Sequence, residues 1–171
     1  MRNIELKARL ASHEIASTLC QAIDATPVGD LKQRDTYFNC TNGLMKLREV
    51  DPGDDYLVHY IRPTVADTKA CDYSMATIDA LSLKPLLTDS LGAQVVVEKV
   101  RSLWLWENVR IHLDRVEGLG DFIEFEAVLS EEFDDHDGFS KLQFLRKTFG
   151  IESADLCDVS YAEMTLSLKN D

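Results

Sequence analysis

No stretch of the 171 residues comes near the roughly 18 to 20 consecutive apolar residues that a membrane-crossing helix requires. The first ten residues, MRNIELKARL, are too polar for a secretory leader. A cytoplasmic protein with no membrane partner is expected. Cysteine is sparse: Cys20, Cys40, Cys71 and Cys157 are scattered, with none of the close pairs that build zinc or redox sites, and they read as packed free thiols. Positive charge is also in short supply. A net charge of −12 repels a polyanion over most of the surface and argues against nucleic acid as a partner, so an anionic ligand must be met by cations gathered locally. Nor is there a Pro/Ser-rich linker, a change of composition or a repeat of fixed period. One domain over residues 1–171 is expected, large enough to bury a core without disulfides or a structural metal.

What is present is alternation. MRNIELKARL puts Asn3, Glu5, Lys7 and Arg9 on one face and Ile4, Leu6, Ala8 and Leu10 on the other, which is a β-strand with one polar face. Residues 12–25 follow as an amphipathic helix, with Ser12 as N-cap and Ile15, Leu19 and Ile23 at four-residue spacing. Strands at 32–39, 44–50 and 56–63 form a meander whose turns carry Asn42-Gly43 and Asp51-Pro52-Gly53. A short strand near 70–76, a helix near 79–91 closed by Gly92, strands at 94–106, 108–115 and 118–129, and a helix at 138–149 ended by Gly150 complete the series. About eight strands and three or four helices predict an antiparallel α+β domain with a strongly curved sheet.

By strand parity the polar faces carry Glu5 and Lys7; Lys46 and Arg48; Lys99 and Arg101; Arg110, His112 and Asp114; and Glu124 and Glu126. Solvent-facing sides of a half-buried sheet explain any one of these pairs. Together they are long cations and carboxylates, concentrated on different strands, and that combination suits a phosphate chain with a divalent metal. Lysine offers a point charge and arginine a planar fork for phosphate oxygens. Carboxylates approach phosphate only through an ion such as Mg²⁺ or Mn²⁺. Glu124 and Glu126, about 7 Å apart along one strand face, are spaced to converge on such an ion. Periodicity alone leaves open whether these faces point into a closed barrel or out to water.

The segments NIELKARL, DTYFNCTNGLMKLRE, YIRP, KACDY, RIHLDRVEGLGDFIEFE and SYAEM resemble, in order and spacing, the CYTH or triphosphate tunnel metalloenzyme superfamily, in particular its class IV adenylyl cyclase-like branch. The resemblance implies a closed antiparallel β-barrel of about eight strands with helices packed outside and a polar bore. It also implies a metal-dependent enzyme acting on a small-molecule triphosphate, as a monomer or homodimer. Phosphate contacts then fall on Lys7, Lys46, Arg48, Arg62, Lys69, Lys99, Arg101 and Arg110, and metal ligands on Glu5, Asp114, Glu124 and Glu126. Lys7, Asp114, Glu124 and Glu126 would carry the chemistry. The leading expectation is hydrolysis of tripolyphosphate, a nucleoside triphosphate or thiamine triphosphate. The alternatives are conversion of ATP to cyclic AMP and pyrophosphate, and a non-catalytic polyphosphate- or nucleotide-binding module.

The chain departs from the family pattern at Asn3, where a glutamate is usual, at Ile61 for a lysine, at Cys71 for a serine, and at Glu98 where a cation is often found. His59 and His112 lie near the constellation and read either as packed sheet histidines or as substrate contacts. Trp104 and Trp106 share a face that suits helix-covered packing or stacking at a tunnel mouth. The acidic run from Glu131 to Asp137 reads as a solvated loop capping the next helix.

Overall fold

The alternation of MRNIELKARL becomes β1 (Arg2–Arg9), and its polar face points inward. The computed structural model describes residues 2–61 and 69–170, with backbone alone at 69–71 and 170. After β1 come α1 (His13–Ala22), β2 (Thr26–Phe38), β3 (Leu44–Asp51), β4 (Asp55–Ile61), β5 (Lys69–Ile78), α2 (Ala80–Leu91), β6 (Ala93–Trp106), β7 (Val109–Val116), β8 (Gly120–Val128), α3 (Asp135–Thr148) and α4 (Tyr161–Asn170). The strands close in the order β1-β5-β4-β3-β2-β6-β7-β8, antiparallel at every junction. Closure removes both sheet edges and divides each strand into one face for the bore and one for the exterior.

Most of the apolar core lies outside the barrel. Ile4, Leu6 and Ala8 of β1, Val109, Ile111 and Leu113 of β7, and Ile123, Phe125 and Ala127 of β8 pack outward against Ala16 and Cys20 of α1 and Leu142 and Leu145 of α3. Each large side chain buried here contributes about 1.5–3 kcal/mol, so the exterior helices force the polar strand faces into the bore. Close docking of α3 on β1 depends on Gly138, where a Cβ would meet Ile4 Cγ1 at 2.9 Å and Leu129 Cδ2 at 3.1 Å. The acidic loop caps α3 as expected: Asp134 accepts from the Asp137 amide at 3.0 Å, and Asp137 returns a bond to Asp134. On the opposite side α2 covers Phe38 and Leu47.

The two ends of the bore differ. At one end Tyr37, Val95, Val97, Val116 and Phe122 turn inward and pack against Tyr161 and Ala162 of α4, which closes that end. At the other the β3–β4 turn, Pro52 to Asp54, borders a cavity of about 510 Å³ that runs inward past the charged residues. Trp104 belongs to the exterior core and Trp106 stacks on Phe144 of α3 (5.4 Å between centroids), so the tryptophans serve packing. Of the expected elements, β2 begins at Thr26 rather than residue 32, and α4 is an additional helix.

Candidate active site

Two copies of one device line the bore. On β2 and β3, Asp35 accepts from Arg48 Nε and Nη2 at 2.7 Å each and from Lys46 Nζ at 2.9 Å. On β7 and β6, Asp114 accepts from Arg101 Nε and Nη2 at 2.7 Å each and from Lys99 Nζ at 2.9 Å. In each case an aspartate sits directly across the strand pair from the arginine of a Lys-x-Arg on the neighbouring strand. Burial opposes ionisation of both aspartates, but the adjoining cations outweigh it and hold both carboxyls well below the usual range. The arginines are thereby fixed through Nε and Nη2. Among the described residues nothing engages their Nη1 groups, which remain as donors for a ligand.

The carboxylates gather on β1 and β8. Glu5 faces Glu126 across the strand pair, and Lys7 faces Glu124. Arg101 Nη2 reaches Glu124 Oε2 at 2.9 Å, and His112 Nδ1 lies 3.2 Å from the same oxygen and 4.0 Å from Glu126 Oε1. Burial, then hydrogen bonding and charge, decide the ionisation states. Glu124 is held well below the carboxylate range because the His112 hydrogen bond and Arg101 overcome its desolvation. Burial and then Arg101 push His112 downward. A neutral imidazole with Nδ1 against a carboxylate carries its proton there and leaves Nε2 as an acceptor. Lys99 is brought down to about 7 by burial and by Arg101, with Asp114 partly offsetting them.

Ligand atoms of His112, Glu124 and Glu126 lie within 4.8 Å of one another. Two hard carboxylates at that spacing suit Mg²⁺ or Mn²⁺, and the imidazole bonded to Glu124 is placed to orient it.

The sequence expectations separate accordingly. Glu5, Lys7, Lys46, Arg48, Lys99, Arg101, Arg110, Glu124 and Glu126 all border the bore cavity. Arg110 stands toward the open end, 3.7 Å from Glu126. Lys7 donates to the Val159 carbonyl and lies 4.7 Å from the Tyr161 ring centre. Lys69 pairs with Glu5 in the backbone register, and Arg62 lies outside the described residues. Asp114, which the resemblance puts among the metal ligands, is fully buried and accepts hydrogen bonds from Lys99, Arg101 and the Tyr161 hydroxyl, the last at 3.0 Å. His59 points away from the bore and bonds the Asn42 carbonyl at 2.7 Å. Asp35 and Tyr161 received no role from the sequence. An outer groove of about 600 Å³ over β2, β3 and β6 carries charges of both signs, including the Arg34–Glu98 pair at 3.4 Å.

The bore of this closed eight-stranded barrel thus holds cations anchored by aspartates on one side and facing carboxylates on the other. The CYTH domain family profile matches residues 1–161, and the chain belongs to that family. Among solved structures it is similar to the PH1012 protein of Pyrococcus horikoshii (23% identity, TM-score 0.84, covering 94% of this chain and 98% of that one). It is also similar to a proposed adenylate cyclase of Vibrio parahaemolyticus (21%, TM-score 0.76, 96% and 97%). A third likeness is to HpAC1 of Hippeastrum, a proposed adenylyl cyclase with a dominant triphosphatase activity (16%, TM-score 0.66, 99% and 96%). No curated protein matches.

Proposed function

We propose that the bore binds the phosphate chain of a triphosphate and hydrolyses it with the aid of Mg²⁺ or Mn²⁺. The observation that carries this is the opposition of two aspartate-anchored Lys-x-Arg pairs to the carboxylates Glu5, Glu124 and Glu126 around one cavity. Although its net charge is −12, the chain collects Lys7, Lys46, Arg48, Lys99 and Arg101 at one place, where an anionic ligand would meet them. Directly facing carboxylates such as Glu5 and Glu126 repel, a cost that a divalent ion between them would convert into binding energy.

Arg48 and Arg101 would direct Nη1 donors to phosphate oxygens, with their orientation fixed by Asp35 and Asp114. Lys7, Lys46 and Lys99 would add point charges. Glu5, Glu124 and Glu126 would hold the divalent ion, which supplies charge neutralisation and Lewis acidity when bound. His112 keeps Nδ1–H on Glu124, and its Nε2 is a candidate to take a proton from the attacking water.

Lys99 provides a pH test. In the free protein it releases its proton near pH 7, and a bound polyanion favours the charged form and raises that value. Triphosphate binding at about pH 8 should therefore take up close to one proton, and affinity should fall as pH rises from about 7 to 9. Calorimetry in two buffers of different ionisation enthalpy measures the uptake, which should vanish in Lys99→Arg. Uptake unchanged by that substitution would remove Lys99 from the phosphate contacts.

The likeness to the Vibrio protein favours a second reading, in which ATP is cyclised in the same bore; the activity stated for HpAC1 supports the first. Incubation with ATP and, separately, tripolyphosphate in Mn²⁺, with orthophosphate, pyrophosphate and cyclic AMP resolved, separates them. Orthophosphate from both substrates is expected. Stoichiometric cyclic AMP and pyrophosphate from ATP, with tripolyphosphate left intact, would reverse the assignment.

A further inference from the structure

We infer that α4 is a ligand-released latch on the closed end of the bore: the segment from Leu156 to Tyr161 and the phosphate chain compete for Lys7 and Lys99. Docked α4 therefore holds triphosphate affinity down, and bound triphosphate loosens α4. This rests on the triphosphate reading above and adds how the site is regulated by its own closed end.

Two lysines assigned to the phosphates also hold the start of α4. Lys7 donates to the Val159 carbonyl, and its Nζ lies 4.7 Å from the centre of the Tyr161 ring. Lys99 Nζ lies 5.0 Å from the centre of the same ring. Both lysines border the bore cavity together with Ser160 and Tyr161, so the ammonium groups lie where the phosphate chain and the start of α4 meet. The rest of the attachment is modest. Leu156 bridges Ala8, the Cys157 amide donates to the Lys7 carbonyl at 2.9 Å, and the Tyr161 hydroxyl donates to Asp114 at 3.0 Å. Tyr161 and Ala162 add apolar packing inside the closed end. Asp158 and Val159 between these attachments are exposed.

A phosphate chain changes this balance. An ammonium held by a neutral carbonyl and an aromatic face gains more from a phosphate oxygen, which brings a full negative charge within hydrogen-bond reach. Once Lys7 turns to the ligand, the Val159 carbonyl loses its donor, and it regains one by moving into water. Once Lys99 turns, Tyr161 loses the cation over its ring. Charge acts in the same direction. The start of α4 is no seat for an anion, because a carboxylate already occupies it: the Ser160 amide donates to Glu163 Oε2 at 2.6 Å, and the Glu163 amide donates to Ser160 Oγ at 3.1 Å. With Asp158 close by in the chain, this segment sets carboxylates near the incoming phosphates while the ligand draws away the lysines that offset them. Linkage makes the effect reciprocal: the loosening that the ligand causes in α4 is returned by α4 as lost affinity.

The test is hydrogen exchange on the wild type with and without tripolyphosphate, with chelator present to prevent turnover. Binding should slow exchange in the bore strands β3 and β6. In residues 156–165 it should instead speed exchange by about fivefold, the scale of one lost hydrogen bond. Calorimetry measures the reciprocal effect. Tyr161→Ala should bind tripolyphosphate about fivefold more tightly, the scale of one released cation–π contact. Tyr161→Phe keeps the ring and should stay within about twofold of the wild type. Slowed or unchanged exchange in 156–165 beside protected β3 and β6 would overturn the latch and leave the triphosphate reading standing. Weaker binding by a Tyr161→Ala protein whose strands exchange like the wild type would do the same. No binding heat and no protection in any strand would overturn the triphosphate reading and this inference with it.

Discussion

Glu124→Gln and Glu126→Gln are each expected to leave a folded barrel with almost no turnover. Glutamine keeps the volume and one oxygen of glutamate but not the charge. In the wild type that charge is secured at Glu124: its carboxyl stays ionised well below the usual range, because the His112 hydrogen bond and Arg101 outweigh its burial. Partners that merely orient a metal ligand cost about 10- to 100-fold in metal affinity or activity when changed, so loss of a ligand charge should cost about a hundredfold or more. Stability should hardly change. Arg101 retains both bonds to Asp114, and among the described residues the ion pairs of Glu126 are longer contacts, to Arg110 at 3.7 Å and His112 at 4.0 Å. Steady-state phosphate release and thermal melts on the same preparations check both halves. Wild-type turnover in both variants at limiting Mg²⁺ would remove the metal assignment.

Arg101→Ala should show the opposite balance, a loss of both stability and triphosphate affinity. Asp114 is fully buried and relies on Arg101 for two of its four hydrogen bonds. Removing one partner of a buried pair costs about 3–5 kcal/mol where the remaining charge is left uncompensated, a loss that Lys99 and Tyr161 moderate at Asp114. Loss of the Nη1 donor should weaken triphosphate binding by a further ~1.5–3 kcal/mol, the scale of a hydrogen bond to a charged group. Arg48→Ala should behave likewise through Asp35, moderated by Lys46, which still reaches that aspartate at 2.9 Å. Arg146 lies on the exterior helix α3, where it bonds Ser153 Oγ at 2.9 Å and the Ile151 carbonyl at 3.3 Å, so Arg146→Ala should leave binding unchanged. Denaturant melts combined with calorimetry test the series. Equal losses of affinity in all three would mean a diffuse surface effect and no bore site.

Parity made the polar faces of β1, β3, β6, β7 and β8 legible, because in each the key polar residues fall two apart with an apolar residue between them. Their inward direction is set by helices α1, α2 and α3, whose apolar sides claim the other faces, and periodicity has no access to that choice. The role of Asp114 was hidden for a related reason. Whether an aspartate meets a side-chain cation depends on cross-strand register, and the pairing of Arg101 with Asp114 supplies one. Asp35 carried a usable signal: it shares parity with Gln33 and Tyr37 on a strand whose neighbour bears Lys46 and Arg48. In YLVHYI one face carries Tyr56, Val58 and Tyr60 and the other Leu57, His59 and Ile61, each largely apolar, so nothing marked the first as inward and His59 as outward. Tyr161 lay in a recognisable segment, but its bond to Asp114 joins residues 47 positions apart and exists only once α4 has closed the bore.

The central claim is that one cavity holds both the phosphate chain and the divalent ion. Crystals soaked with Mn²⁺ and a non-hydrolysable nucleoside triphosphate, measured at the manganese absorption edge, test it directly. The expected result is anomalous density beside Glu5, Glu124 and Glu126, with phosphate oxygens against Arg48 and Arg101. Manganese found instead at the exposed Asp134, His136 and Asp137 cluster, with the triphosphate outside the bore, would contradict it.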